Sequence, residues 1–360
     1  MPIALNRGMQ ASGLVLTAPG QLSLQPFDLP PLEAGSVRIR IAGCGLCHTD
    51  ISFYSGQVRT RHALPLVLGH EVAGTVVAAA ADAAGWIGHD VIVPAVIPCG
   101  CCELCRTGHD NACLNQVMPG NHSHGGFATE MVVPARSLVR LGPDRGGYDL
   151  AELAVVADAV TTPYQAMIRA NVAAGEVVVV IGAGGIGTYA VQIARARGAR
   201  VAVVDIDACT LERLAPFGVE WRLNAREMDG AAIKKRLLAD TSGTGWKIFE
   251  MSGTLPGQEL AWSLLVPAAT LGVIGFTMDK PQVRLSNLMA LDATAFGSWG
   301  CSPSLYPDAL ALVCSGRVTL RPFIERHPLA EGPALFAQLA GGAHGNGRRA
   351  ILVPDHVEAL

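Results

Sequence analysis

Four cysteines near the middle of the first half of the chain constrain its fold more than any other feature. Cys99, Cys102, Cys105 and Cys113 follow the spacing C-x2-C-x2-C-x7-C inside a Gly-rich loop. That spacing lets four thiolates converge on one tetrahedral zinc ion. Four sulfur ligands leave no vacant coordination position, so this metal is expected to be structural, replacing a hydrophobic core that so short a lobe cannot build. Cys101 falls out of register with the set. Disulfides are the competing use of ten cysteines, but they belong to oxidising compartments. The opening residues Met1 to Gln10 hold one Arg and no long apolar run, so no export signal is expected and the protein reads as cytoplasmic. Cys44, Cys209, Cys301 and Cys314 stand singly in apolar text and are expected to be buried, inert thiols.

A chain of 360 residues is too long for one ordinary core and suits two domains. Its 50% hydrophobic and 16% charged content, with 41 Gly and 22 Pro, argues for a well-buried, turn-rich globular protein and against disorder. The net charge is −3 and the 27 basic residues form no stripe, which excludes a nucleic-acid partner. No stretch reaches the roughly 18 uninterrupted apolar residues that a membrane span requires.

From Leu14 to Val139 the text consists of short β-rich pieces, Val37 to Ile41 and Val91 to Val93 among them, broken by Gly, Pro and Cys-rich loops. This predicts a compact, mostly β unit. From about Ala174 the pattern changes: a strand at Val177 to Ile181, a glycine turn, a helix at Tyr189 to Arg197 and a strand at Val201 to Asp205 form a βαβ unit. Further strands at Trp246 to Met251, Thr270 to Gly275 and Thr294 to Ser298 alternate with helix-like stretches at Ala231 to Leu238 and Glu259 to Val266. A doubly wound parallel sheet follows. Helix-compatible Tyr306 to Cys314, the segment Phe323 to His327 and a late strand at Arg349 to Val353 are expected to return to the first domain. The expected boundaries are 1–160 with 299–360, and 161–298.

Gly182, Gly184 and Gly187, with Gly185 and Ile186 between them, spell G-x-G-x-x-G directly after an apolar strand and before a helix. Such glycines let the backbone turn tightly and approach a pyrophosphate, whose charge sits at the helix N-terminus. Asp205 ends the next strand, and no Arg follows in Ile206, Asp207 or Ala208. A carboxylate there accepts hydrogen bonds from ribose hydroxyls and repels a 2′-phosphate, so NAD is favoured over NADP. Asp207 is read as a solvated surface residue.

A catalytic zinc needs about three protein ligands of mixed type and one open position. Cys47 and His70 lie in the phrases Gly45-Leu46-Cys47-His48-Thr49-Asp50 and Gly69-His70-Glu71. By themselves they fit a buried thiol and a structural histidine as well as a metal site. The order of these phrases, the four-cysteine lobe and the downstream βαβ unit resembles that of the zinc-containing medium-chain alcohol dehydrogenases over nearly the whole chain.

The resemblance implies a GroES-like catalytic domain and a Rossmann coenzyme domain with the active site in the cleft between them, two zinc ions per chain, NAD, and a homo-oligomer, dimer or tetramer. It makes Cys47 and His70 zinc ligands, Glu71 an acidic neighbour able to enter the coordination shell, and Asp50 the carboxylate that orients His70. Thr49 matches the hydroxyl that takes the alcohol proton, and His48 a basic residue near the coenzyme pyrophosphate. Thr162, Gly275 and Phe276 are expected coenzyme neighbours.

Where many relatives place a third, cysteine ligand, the stretch Val156 to Thr162 offers Asp158. A Cys, His, Asp site is therefore expected, with a more electrophilic metal than a second thiolate leaves. Ser52 stands where many relatives have the histidine that completes the proton relay. Ala95 replaces a bulky aromatic wall, leaving room for a ring.

The expected activity is NAD-linked oxidation of a small-molecule alcohol. Within the family, the phrases Ser55 to His62 and Ala157 to Tyr164 resemble the 6-hydroxycyclohex-1-ene-1-carbonyl-CoA dehydrogenases of anaerobic aromatic degradation, which implies a cyclic hydroxyacyl-CoA as substrate. Arg59, Arg61 and His62 are then candidates for meeting CoA phosphates, since guanidinium groups suit bidentate phosphate contacts. Rivals are a zinc dehydrogenase of polyols, amino alcohols or simple alcohols, a zinc-free enoyl or quinone reductase, and a zinc-stapled protein that only senses NAD or an acyl-CoA.

Overall fold

In the strand Ser36–Gly45, Val37, Ile39 and Ile41 are fully buried while Arg40 points outward, the period-two alternation of a half-covered antiparallel sheet. This strand is the spine of the first unit in a computed structural model that describes residues 9–342 and 347–355. The reading of Met1 to Gln10 lies mostly outside those residues, as do the outermost limits of the expected boundaries.

The strand Glu71–Ala79 pairs antiparallel along the length of Ser36–Gly45. On the opposite edge Glu130–Pro134 pairs with its first half, and Arg349–Val353 pairs at Cys44 and Gly45. Arg349–Val353 pairs in turn with Ile324–Pro328 in parallel, so the end of the chain is built into the sheet of its beginning. Asp90–Val93 and Val139–Arg140 complete the seven-stranded sheet. A smaller sheet of Gln21–Asp28, Gln10–Ala18 and Leu66–Val67 lies in the same unit. The apolar cluster of this unit includes Leu14, Leu68, Val72, Phe127 and Phe336, with the Phe127 and Phe336 rings edge to face at 5.5 Å.

The second unit is a six-stranded parallel sheet in the spatial order Trp221–Asn224, Arg200–Asp205, Val177–Ile181, Lys247–Glu250, Thr270–Val273, Thr294–Gly297. Numbered along the chain this is 3-2-1-4-5-6, the doubly wound nucleotide-binding order. Val177–Ile181 is buried at every residue, as a central parallel strand covered on both faces must be.

The two units comprise Met1–Asp158 with Cys301–Leu310 and Leu320–Leu360, and Ala159–Gly300 with Ala311–Thr319. Within the span 299–360, the short segment Ala311–Thr319 groups with the second unit. The Gln192 side-chain amide holds it there, donating to the Thr319 carbonyl at 3.2 Å and accepting the Thr319 N–H at 2.7 Å.

Three local differences from the sequence reading have physical causes. The helix expected at Glu259 to Val266 runs over Leu255–Ser263, because Thr254 caps it by accepting the Gly257 N–H and Pro256 occupies its first turn. The segment Phe323 to His327 is largely a strand, Ile324–Pro328, paired to Arg349–Val353. The edge strand Trp221–Asn224 escaped notice because Arg222 and Asn224 interrupt so short an apolar pattern. No helix of the described residues is long and apolar enough to cross a membrane.

The glycine turn leaves no room for a side chain: a Cβ on Gly187 would lie 1.8 Å from the Gly182 carbonyl oxygen. Gly187→Ala is therefore expected to destabilise the second unit by about 1–3 kcal/mol. A thermal melt followed by circular dichroism checks this, and an unchanged midpoint would contradict the close approach.

Candidate active site and metal centres

The cysteine lobe has the geometry of a closed four-sulfur site. The Sγ atoms of Cys102 and Cys105 lie 3.5 Å apart, those of Cys102 and Cys113 3.7 Å, and those of Cys99 and Cys105 3.9 Å. A tetrahedron with Zn–S bonds of about 2.3 Å has edges of about 3.8 Å. Backbone N–H groups of Cys101 and Cys102 donate to Cys99 Sγ, and the Cys99 N–H donates to Cys113 Sγ. The Cys101 and Cys102 amides lower the Cys99 thiol to about 5, whereas desolvation and the hydrogen bond with Cys102 push Cys105 up to about 12. Cys101 is exposed, its Sγ 3.6 Å from that of Cys99 and outside the converging set.

A second donor set lies in the same unit. Cys47 caps the helix His48–Tyr54, whose first turn contains Asp50. The Asp50 carboxylate is fully buried and divides its oxygens: one accepts the Cys47 N–H at 3.0 Å, the other takes the His70 Nδ1–H at 3.1 Å. Committing Nδ1 as donor leaves the Nε2 lone pair available as a ligand. Nε2 faces Asp158 Oδ2 at 3.7 Å, and that oxygen is 3.8 Å from Cys47 Sγ. One donor atom each from Cys47, His70, Glu71 and Asp158 fall within 4.8 Å of one another. Gly69 gives the turn before His70, with φ of +103° and a Cβ position only 2.7 Å from Cys44 Sγ.

Arg349 completes this set from the far end of the chain. Its Nη1 donates to Glu71 Oε1 at 2.6 Å and to the Leu46 carbonyl at 3.4 Å, with both charged side chains buried. Among the described residues the buried Glu71 Oε2 has no hydrogen-bond partner. Burial first, then the charges of Cys47 and Asp158, hold the Glu71 carboxyl well above its usual range against the pull of Arg349. Cys47 is lowered: burial opposes ionisation, but Arg349 and His70 outweigh it. Burial likewise works against the charged form of His70, yet Asp50, Asp158 and Cys47 together raise its pKa. Thiolate, imidazole and carboxylate donors at these separations, with an orphaned carboxylate oxygen beside them, fit a zinc ion.

Around the donors, Thr49 Oγ1 lies 3.7 Å from Cys47 Sγ. Ser52 is buried and its hydroxyl donates to the His48 carbonyl at 3.2 Å. His48, Arg59, Arg61 and His62 are exposed. Ala95 is buried, and its backbone is tied to the Asp158 segment by Tyr306, whose hydroxyl accepts the Ala95 N–H at 3.2 Å and donates to the Ala157 carbonyl at 2.5 Å.

In the second unit, Gly182, Gly184, Gly185 and Ile186 lead into the helix Gly187–Ala196. Asp205 turns back over the loop, accepting the Ala183 N–H at 2.6 Å and the Asp207 N–H at 2.9 Å. Gly275 packs so closely on Gly253 that a Cβ would sit 2.2 Å from its nitrogen. Phe276 is 56% exposed, so it is not a core residue, and Thr162 is buried in the first turn of Thr161–Arg169. Asp207, read from sequence as surface, caps the helix Ala208–Arg213 and its pKa is lowered chiefly by the Thr210 hydroxyl. Cys209 and Cys314 depart from their expected burial: Cys209 lies exposed in the first turn of that helix and Cys314 is half-buried, whereas Cys44 and Cys301 are buried.

Residues 33–143 match the alcohol dehydrogenase GroES-like domain and residues 185–315 the zinc-binding dehydrogenase domain. A D-arabinose 1-dehydrogenase (NADP(+)) of Saccharolobus solfataricus is 30% identical, over 89% of this chain and 91% of that one. The chain belongs to the zinc-containing medium-chain alcohol dehydrogenase family. It is an oxidoreductase acting on alcohol groups. A 2-dehydro-3-deoxy-L-galactonate 5-dehydrogenase of Pseudoalteromonas atlantica is 28% identical, covering 87% of this chain and 90% of that one. The structure of galactitol-1-phosphate dehydrogenase from Escherichia coli superposes with a TM-score of 0.86 at 25% identity, covering 95% and 100% of the two chains.

Two residues of this dehydrogenase's donor site had not been singled out from the sequence. Arg349 appeared only as the first residue of a late strand and Tyr306 only as the first residue of a helix; a lone Arg opening an otherwise apolar strand was the one available signal for the former. Removing one member of a buried ion pair typically costs about 3–5 kcal/mol. Arg349→Met is expected to destabilise the first unit by that amount, and Glu71→Gln added to it to restore much of the loss. Denaturant unfolding of the single and double variants reads this; additive losses would contradict the pairing.

Proposed function

We propose that this protein is an NAD-linked dehydrogenase of a secondary alcohol, with Cys47, His70 and Asp158 as ligands of a catalytic zinc and Cys99, Cys102, Cys105 and Cys113 as ligands of a structural one. The observation that carries this reading is the convergence of a thiol, an imidazole nitrogen and two carboxylates, with Thr49 beside them. When bound, zinc supplies Lewis acidity that lowers the alcohol's pKa, and NAD accepts the hydride.

The chain's own residues supply the rest. Asp50 fixes the His70 tautomer, Arg349 retains Glu71 against the site, and the Thr49 hydroxyl takes the alcohol proton. With Ser52 at the relay position, the onward proton does not pass through an imidazole there. Asp205, with no basic residue immediately after it, supports NAD as the coenzyme.

For the substrate, a 6-hydroxycyclohex-1-ene-1-carbonyl-CoA thioester draws support from the small Ala95 and from exposed Arg59, Arg61 and His62. A polyol or sugar acid is the second reading, supported by the activities named for the relatives. All ten cysteines are thiols, which supports a reducing, cytoplasmic location. The edge strand Thr294–Gly297, and the exposed Met278, Leu285 and Met289 that precede it in the chain, support a homo-oligomer.

The purified protein is expected to hold two zinc ions per chain by elemental analysis, and Asp158→Ala to hold one. Cys101→Ser is expected to keep both. His70→Ala is expected to lower kcat at least a thousandfold with NAD and a hydroxyacyl-CoA or sorbitol. NAD reduction by His70→Ala at the wild-type rate would overturn the catalytic reading. Reduction of NADP in preference to NAD would overturn the role given to Asp205.

A further inference from the structure

Two loops of the first unit gather side chains that donate hydrogen bonds or carry positive charge: Arg61 and His62 on one, His122 and His124 on the other. The loop carrying Arg61 and His62 is strapped to the loop carrying His122 and His124. The Arg61 N–H donates to Asn121 Oδ1 at 2.9 Å, and the His62 N–H to the Asn121 carbonyl at 2.8 Å. The His62 and His124 rings lie 5.4 Å apart, and His124 rests against Phe27 at 5.0 Å.

The backbone sets the protonation of these rings. His122 Nδ1 accepts the Met118 N–H at 3.2 Å, and His124 Nδ1 accepts the Val67 N–H at 3.1 Å. A nitrogen that accepts carries no proton, so each neutral ring holds its proton on Nε2 as a donor. His62 is arranged the other way: its Nδ1 donates to the Ala63 carbonyl at 2.5 Å, so its Nε2 becomes a donor when the ring is charged. Arg61 adds a guanidinium, which only donates.

Among the described residues no carboxylate forms an ion pair with Arg61, His62, His122 or His124. The members repel instead. Burial and the Arg61 charge hold His122 below the usual histidine range, and burial and His62 do the same to His124. The cluster adjoins the candidate metal ligands through the backbone. Gly125 N–H donates to the Val67 carbonyl and Gly126 N–H to the Gly69 carbonyl at 2.8 and 2.9 Å, clamping the histidine loop onto the segment that leads into His70.

We propose that Arg61, His62, His122 and His124 form a subsite for an anionic group of the substrate, a carboxylate or a phosphate, beside the metal donors. This rests on the reading that the first unit holds an alcohol substrate, and it deepens that reading by naming a charge the substrate carries. With His62 charged the cluster only donates, and an acceptor-only ligand completes it; mutual repulsion between its members is relieved when that ligand is negative.

The test uses three alcohols on one carbon skeleton: galactitol, L-galactonate and galactitol 1-phosphate, with NAD. In Arg61→Ala/His122→Asn/His124→Asn, the asparagine Oδ1 atoms still accept the two backbone N–H groups, so the loop keeps its anchors while the outer donors are lost. The ratio of kcat/KM for an anionic member to that for galactitol is expected to fall at least tenfold, through KM. A fall for L-galactonate alone identifies a carboxylate, and for the phosphate alone a phosphate. An unchanged ratio for both overturns the subsite.

If none of the three alcohols is oxidised, calorimetric titration of the zinc-loaded, NAD-saturated protein with inorganic phosphate and with acetate decides the matter. Binding by wild type that weakens at least tenfold in the variant upholds the subsite while the proposed substrates fail. Absence of binding of either anion overturns it.

Discussion

Four acidic side chains share one buried site with a single guanidinium. Cys47, Asp50, Glu71 and Asp158 surround His70, and Arg349 is the permanent cation among them. Two like charges about 4 Å apart repel by about 4 kcal/mol at an effective dielectric near 20, and the Cys47 and Asp158 donor atoms are 3.8 Å apart. All of these groups cannot ionise together unless a further cation joins them. Burial and the neighbouring anions raise the Glu71 carboxyl, and the Arg349 guanidinium 2.6 Å away opposes them. A divalent ion at these donors would relieve that repulsion, and the strands of the first unit hold the donors in place.

That service explains the topology. The strand Ser36–Gly45 delivers the turn into Cys47, the strand Glu71–Ala79 begins directly after His70, and Arg349–Val353 pairs at Cys44 and Gly45 so that Arg349 reaches Glu71. Tyr306 ties the carbonyl before Asp158 to the backbone of Ala95. The cysteine lobe answers a different need: a loop too short to bury a core is closed by four thiols, with backbone N–H groups already directed at their sulfurs. The second unit, by contrast, is an apolar parallel sheet in which the turn at Gly182–Gly187 and the carboxylate of Asp205 are the specialised parts.

What could be read from the residues follows from how local each signal is. The four cysteines, the glycine turn and Asp205 are spelled within short stretches, and the strands Val177–Ile181 and Arg349–Val353 announce themselves by apolar runs, unbroken in the first and opened by a single Arg in the second. Arg349 was invisible as a site residue because its partner is 278 positions away, and nothing nearby in sequence says that a buried carboxylate awaits it. The histidines at 122 and 124 were overlooked for the same reason: only the fold lays them against Arg61 and His62. Trp221–Asn224 shows the opposite limit, an edge strand so short that two polar residues hid it. Asp158 was reached only through the family resemblance, since the stretch around it reads as ordinary buried text.

The central claim is that this chain pairs a closed four-sulfur site with an open site holding a single sulfur. Anomalous scattering at the zinc absorption edge from crystals of the purified protein tests it most directly. The expected map shows two peaks per chain, one within bonding distance of Cys99, Cys102, Cys105 and Cys113, the other of Cys47, His70 and a carboxylate oxygen of Asp158. A single peak at the cysteine lobe, or a second peak without Asp158 in its shell, would contradict the account.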